Sequence, residues 1–210
     1  MRGLFISIEG VEGAGKSTQL NNIKHYLESI GKAVLVTREP GGTELGEHIR
    51  SLLLTPSDSP MAIDTELLLM FAARAEHVNK VINPALERGE WVISDRFTDA
   101  TYAYQGGGRG IDVDRISQLA EWTLQGMQPD LTLLFDLPVE IGQQRVISRN
   151  EGIDRFEQEK VDFFYKIRTA YLELARTHSR RIKVIDSSRT VDVIEQELIA
   201  LLSKLDVASA

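Results

Sequence analysis

Apolar residues fall into five short runs, Leu4–Ile8, Ala33–Thr37, Trp91–Ser94, Leu131–Phe135 and Ile182–Ile185, separated by longer amphipathic segments. The runs are continuous rather than alternating, the pattern expected of strands in a parallel sheet covered on both faces. Between the first two, Ser17–Ile30 places Leu20, Ile23, Leu27 and Ile30 at helical spacing and meets a stop signal at Gly31. Thr43–Leu54, Asp112–Gln125, Val139–Ser148 and Val191–Leu205 also read as helices. Met61–Arg88 is helical in character with a break expected near Asn83-Pro84, because proline removes a helix donor. Thr98–Gln105 reads as a further helix, and Gln105–Gly110 as a flexible link to the next one. After the polar stretch Arg149–Asp154, a long helix is expected to run to about Thr177. Alternating strands and helices predict a doubly wound α/β fold around a five-stranded parallel sheet, built as one domain over residues 1–210.

Charge and composition narrow the function classes. The chain has 210 residues, with 24 Lys+Arg against 31 Asp+Glu and a formal net charge of −7. An acidic balance argues against a nucleic-acid-binding protein, so any anionic ligand must meet a local cluster of cations. With no cysteine, disulfides, thiolate-ligated zinc, iron–sulfur clusters and a cysteine nucleophile are excluded. The longest apolar run, Leu67–Ala73, is far short of the ~18 residues of a membrane span, and the apolar stretch in Met1–Ile8 is too short for a signal peptide. The expectation is a soluble cytoplasmic protein with no membrane or nucleic-acid partner.

One segment carries most of the chemistry. Gly10-Val11-Glu12-Gly13-Ala14-Gly15-Lys16-Ser17 fits G-x-x-x-x-G-K-[ST], after a predicted strand and at the start of a predicted helix. Backbone N–H groups of such a loop, with the helix N-terminus, wrap a phosphate. Lys16 is expected at the β- and γ-phosphates of ATP and the Ser17 hydroxyl at Mg²⁺, with Thr18 beside them. Glu12 is an oddity, a carboxylate in a cradle for anions. Its side chain is expected to point away from the triphosphate, either toward a neutral donor such as a sugar hydroxyl or into solvent without a role.

Other candidates lie at the carboxyl ends of strands, where doubly wound sheets bind ligands. Asp95-Arg96 follows the third strand: Asp95 is placed to hold Mg²⁺ or its waters, and Arg96 to grip an acceptor or transferring phosphate. The alternative is a surface ion pair. Arg38 follows the second strand, and Asp136 the fourth, as a metal partner or a structural residue. Arg149 and Arg155 flank a polar, Gly-containing stretch with the character of a mobile lid over about 148–157, or else of a solvated loop. The four histidines lack metal-ligand spacing. Asn79-Lys80 runs into Val81-Ile82 instead of completing an N-K-x-D guanine-recognition segment, which disfavours a regulatory GTPase; a nucleotide-binding switch is the alternative from another class.

The phosphate loop with its acidic third residue, Arg38-Glu39-Pro40-Gly41-Gly42-Thr43, Phe71-Ala72-Ala73-Arg74, Asp95-Arg96-Phe97 and Tyr104-Gln105-Gly106-Gly107-Gly108-Arg109-Gly110 occur in this order. Together they resemble the bacterial thymidylate kinases, over essentially the whole chain. The resemblance implies a nucleoside monophosphate kinase-like fold and ATP- and Mg²⁺-dependent phosphorylation of dTMP to dTDP, in dTTP biosynthesis, by a homodimer. It implies that Phe71 stacks on thymine, Arg74 donates to a base carbonyl, and Thr101 and Gln105 lie beside the base. Tyr104 would crowd the 2′ position, Glu12 would bind the sugar 3′-hydroxyl, and Arg38, Arg50 and Arg96 would serve the acceptor side. Val11, Glu12, Gly13 and Ala14 include no basic residue, so the chain is similar to members whose catalytic cation sits in the lid, here Arg149 and Arg155. The apolar face of the Leu67–Ala73 helix is the expected subunit contact.

Overall fold

The computed structural model describes residues 2–148 and 154–209, and for 206–209 only the path of the helix. Five strands, β1 (Phe5–Glu9), β2 (Val34–Arg38), β3 (Trp91–Asp95), β4 (Leu131–Asp136) and β5 (Ile182–Asp186), form one sheet in the order β2-β3-β1-β4-β5. Every pairing is parallel. β1, β3 and β4 are buried on both faces, as continuous apolar runs require. The edge strands β2 and β5 are only part-buried.

Strand periodicity divides the core. Ile6 and Ile8, with Leu133 and Phe135, point to a layer made by α1 (Lys16–Ser29) and α9 (Val191–Ser209) through Ile23, Leu27, Ile194 and Leu198. The opposite face of β1 carries Phe5, Ser7 and Glu9, all fully buried. Phe5 packs with Val78, Ile82, Leu86 and Phe97. Ser7 hydrogen-bonds Thr132 at 2.8 Å, and Thr132 donates to Asp99, which Arg181 grips at 2.6 and 2.8 Å. A buried polar column thus runs beneath the ligand end of the sheet, with only Arg181 Nε left without a partner among its described side-chain atoms.

The helix expected over Met61–Arg88 is α3 (Ile63–His77), a π-helical turn (Val78–Ile82) and α4 (Asn83–Glu87). The break lies upstream of Pro84. The proline ring would meet the carbonyl four residues earlier, and a wider turn before it relieves that clash. The second difference concerns the glycine-rich stretch. After α5 (Thr98–Thr101), Tyr102–Gly108 is π-helical and packs on α8 (Val161–Thr177). It is no flexible link: a Cβ at Gly107 would lie 2.6 Å from Ala170 Cβ, and one at Gly108 2.4 Å from the Phe163 ring. Glycine here allows close approach of two helical segments. Third, α8 begins only at Val161, and residues 154–160 form turns on the protein body. The remaining helices are α2 (Glu44–Leu54), capped by Thr43 Oγ1 accepting from Gly46 N, α6 (Val113–Leu124) and α7 (Val139–Ser148).

Candidate active site

Every strand ends in a charged residue at its carboxyl end: Glu9, Arg38, Asp95, Asp136 and Asp186. β1 is central, and the chain leaves it to opposite sides, so a crevice opens at this edge. A cavity of about 420 Å³ lies there. At one end it is lined by the phosphate-loop residues Glu12, Gly13, Ala14, Gly15, Lys16, Ser17 and Thr18. At the other it is lined by Arg50, Arg74, Asp95, Arg96, Thr101, Tyr104 and Gln105.

The loop between β1 and α1 is shaped by close packing. At Gly13 a Cβ would fall 2.3 Å from Gly142 O, so the loop lies flush against α7. Lys16 Nζ donates to Gly10 O and Val11 O, both at 3.0 Å, and closes the loop on itself. Val11 is turned into the core, and Gly10 lies under the loop, so neither lines the cavity.

Glu12 does point away from the loop. Its Oε1 accepts from Arg96 Nη2 at 2.7 Å and from the Tyr104 hydroxyl at 2.6 Å, while Oε2 is buried without a partner. The Arg96 guanidinium lies over the Tyr104 ring, 4.7 Å from its centroid. Arg96 has a φ of 71°, a left-handed conformation that costs a non-glycine residue on the order of 1 kcal/mol. It is held by Arg96 N donating to Ile8 O and by Ser94 Oγ donating to Arg96 O. The chain thus turns sharply after β3 to aim this side chain back over the phosphate loop.

Charge at this junction is strongly perturbed. Burial pushes the Glu12 carboxyl up, but Arg96, Lys16 and the Tyr104 hydroxyl outweigh it and hold Glu12 below the ordinary value. Burial and the neighbouring Arg96 bring the Lys16 ammonium down to about 8, against Asp95, Glu12 and Glu9. Glu9 is raised to about 8 by burial and by Asp99, although Phe97 N and the Tyr171 hydroxyl both donate to it. A polyanion at the loop favours protonated Lys16 and so strengthens the cation when it is needed.

The residues suit Mg²⁺. Asp95 Oδ1 is buried in the cavity wall with no hydrogen-bond partner, and Ser17 stands at the start of α1. Among the described residues no group of three or more His, Asp or Glu forms an all-protein cage. One carboxylate and one hydroxyl, completed by substrate phosphates and water, is the donor set Mg²⁺ takes.

The far end is organised by buried carboxylates. Arg74, 2% exposed, donates through Nε to Glu39 at 2.7 Å and through Nη2 to Phe97 O at 3.2 Å; its Nη1 has no partner. His77 bridges Glu39 at 3.0 Å and Thr37 at 2.6 Å. An unpartnered guanidinium donor on a residue that lines the cavity suits a carbonyl-bearing ligand.

A family model described as "Thymidylate kinase" matches residues 8–198. The chain belongs to the thymidylate kinase family. A thymidylate kinase of Pseudomonas putida (strain GB-1) is 54% identical over 202 residues, 96% of each chain. One of Ruthia magnifica subsp. Calyptogena magnifica is 53% identical over 97% of this chain and 99% of its own. Among solved structures, thymidylate kinase from Ehrlichia chaffeensis superposes with a TM-score of 0.77 at 33% identity, covering 96% of this chain and 99% of that one. The fold is accordingly that of the nucleoside monophosphate kinases.

Within this thymidylate kinase architecture, several residues sit elsewhere than expected. Phe71 is absent from the cavity wall and packs with Leu67, Ile111 and Ile116. The residue facing the cavity is Met70, four positions before Arg74 and therefore on the same helical face. Arg38 is half-exposed and bound to Glu47 at 2.9 Å, outside the cavity. Arg155 also stands off the cavity: it donates to Glu66 at 2.7 Å and to Leu53 O at 2.6 Å. Arg149 lies outside the described residues. Asp136 is held by Arg168 in a two-pronged pair at 2.7 and 2.9 Å, a structural role.

Residues with no assigned role in the sequence reading also line the cavity, among them Glu39, Met70, Arg145 and Phe156. Glu39 sits inside the Arg38–Thr43 segment, and Met70 could have been found by its four-residue spacing from Arg74. Nothing in the local sequence marks Glu9, Glu66 or Tyr171, which act from the buried side.

Proposed function

We propose that the protein transfers the γ-phosphoryl group of ATP to the phosphate of dTMP, giving dTDP, with Mg²⁺ bound at Ser17 and Asp95. The observation that carries this is the meeting of two cation sets in one cavity: Lys16 on the loop side, and Arg50, Arg74 and Arg96 opposite it. A phosphate-monoester acceptor, with a second pKa near ~6, is mostly ionised at neutral pH, so its oxygen attacks without a protein base. The difficulty is bringing two anions together. Arg96 and Arg50 bind the acceptor phosphate, and Lys16 follows the transferring group, so positive charge is already arranged where the equatorial oxygens need it. Ser17 and Asp95 would hold Mg²⁺, which would supply further charge neutralisation to the phosphates. Thr101, Tyr104 and Gln105 receive the nucleoside, Glu12 takes its sugar hydroxyl, and Tyr104 excludes a 2′-hydroxyl. The transition-state cation of the 148–157 segment is assigned to Arg149, since Arg155 is engaged by Glu66.

The test is ATP with a panel of nucleoside monophosphates and detection of the diphosphates. Acceptor-dependent turnover with dTMP preferred is expected. Slow ATP hydrolysis indifferent to acceptor would replace this reading with a nucleotide-dependent switch.

The protein is further proposed to act as a cytoplasmic homodimer. Leu68, Val113 and Trp122 on α3 and α6 are 56%, 56% and 79% exposed, an apolar face on the helix named above as the expected contact. Among the described residues no helix is long and apolar enough to cross a membrane. Light scattering is expected to give twice the chain mass, and Trp122→Glu with Leu68→Glu to give the monomer.

A further inference from the structure

Glu66, in the first turn of α3, is 1% exposed and does not itself line the cavity. Its Oε1 accepts from Gln105 Nε2 at 2.8 Å and Arg109 Nε at 3.3 Å. Its Oε2 accepts from Arg155 Nη1 at 2.7 Å and meets Arg109 Nη2 at 3.3 Å. A carboxylate between two guanidiniums offers acceptors only. The amide of Gln105 can therefore approach it only with the NH₂ end, which leaves the carbonyl oxygen as the end available to the cavity.

We infer that Glu66 is a specificity-determining positioning residue that fixes the polarity of Gln105 and so makes the cavity read an imide edge. This rests on the proposed nucleoside acceptor. Arg74 brings a donor, its unpartnered Nη1, and Gln105 under the hold of Glu66 brings an acceptor. A donor beside an acceptor complements a ring carbonyl beside a ring N–H, the edge shared by thymine and uracil. Cytosine presents the reverse, an exocyclic NH₂ beside an unprotonated ring nitrogen. It would set an NH₂ against the guanidinium and a lone pair against the amide oxygen. Mispaired buried polar groups discriminate far more strongly than a missing methyl group.

Replacing Glu66 by Gln supplies an NH₂ that can donate to Gln105 Oε1, so the Gln105 amide is released to turn over. The experiment measures kcat/KM for dTMP, dUMP and dCMP with saturating ATP, in the wild type, Glu66→Gln and Gln105→Met, with folding followed by circular dichroism. In Glu66→Gln the dTMP:dCMP ratio is expected to fall by about tenfold or more. The dTMP:dUMP ratio, which reads only the 5-methyl group, is expected to stay within about twofold, because both bases share the imide edge. Gln105→Met removes the acceptor and is expected to lower the dTMP:dCMP ratio as well, with Glu66→Gln adding no further loss in the double variant. An unchanged dTMP:dCMP ratio in Glu66→Gln, with all rates reduced alike, would make Glu66 mere structural support and overturn the inference. Should Glu66→Gln not fold, Gln105→Met decides: retention of the wild-type ratio there overturns the inference equally. Failure of the wild type to use either dTMP or dUMP would instead sink the proposed acceptor, and is thus distinguishable.

Discussion

The two ends of the cavity are built on opposite plans. The loop end is a contiguous run of seven residues, Glu12–Thr18, whose ligand groups are mainly backbone N–H donors and one lysine. The acceptor end assembles Arg50 from α2, Met70 and Arg74 from α3, Arg96 from the turn after β3 and Gln105 from the π-helical segment. Backbone donors hold their positions through the fold itself. The acceptor guanidiniums are oriented by carboxylates: Glu12 for Arg96 and Glu39 for Arg74. The difference teaches where specificity can reside. A triphosphate is recognised by generic geometry, whereas a nucleobase needs side chains held in one rotamer by buried partners.

That contrast can be broken at either end. The largest effect is expected from Lys16→Ala, which should lower kcat on the order of 10³-fold with the fold intact by circular dichroism; near-normal turnover would undo the loop reading. Next, Arg74→Ala should weaken dTMP binding by about 100-fold in calorimetry while ATP affinity holds within about twofold. Loss of ATP affinity instead would mean the two ends are assigned backwards.

Arg155→Ala sharpens the comparison. Its guanidinium braces Glu66 rather than facing the loop, so KM for dTMP should rise roughly tenfold with a smaller change in kcat. A large fall in kcat at unchanged KM would return Arg155 to the transition state. The smallest effect concerns pH. Folded Glu9 keeps its proton up to about 8, whereas its ordinary value is 4.5, so between these values the folded state binds more protons than the unfolded. Its contribution to stability is complete below 4.5 and is lost as pH rises through about 8. Thermal melts of Glu9→Gln should therefore show a flatter decline over that range than the wild type. Identical slopes would show that Glu9 ionises normally.

Much of the fold was legible because its elements are long and strongly patterned. The five strands and their parallel arrangement follow from continuous apolar runs, and α1 from its spacing and Gly31. What escaped is local geometry set by tertiary contact. The π-helical turns carry no sequence period of their own; Gly106-Gly107-Gly108 reads as loop because glycine disfavours helices, yet here it lets two helical segments touch. The site divides in the same way. Lys16, Asp95 and Arg96 are marked by position after a strand. Phe71 came from the family resemblance; its ring lies under the Arg74 guanidinium, 5.0 Å from it, but is taken up by Leu67, Ile111 and Ile116, so Met70 lines the cavity instead. Glu66 is invisible locally, since a glutamate in a helix is ordinarily solvated, whereas Glu39 lay inside a marked segment without showing which partner it would hold.

The glycine contact also has a mechanical meaning. With only hydrogen on the facing side of Gly107 and Gly108, no flexible side chain cushions the π-helical segment against Ala170 and Phe163 of α8. Close-packed surfaces of this kind resist compression and transmit displacement. Tyr104 and Gln105 therefore ride with α8 as one stiff wall of the acceptor pocket. The opposite wall, carrying Met70 and Arg74 on α3, packs on α2 through Ile49, Leu53 and Ala73 and is tied further by the buried Arg74–Glu39 pair. A ligand entering the pocket therefore meets a wall that cannot yield at Tyr104 and Gln105 without moving α8 as well.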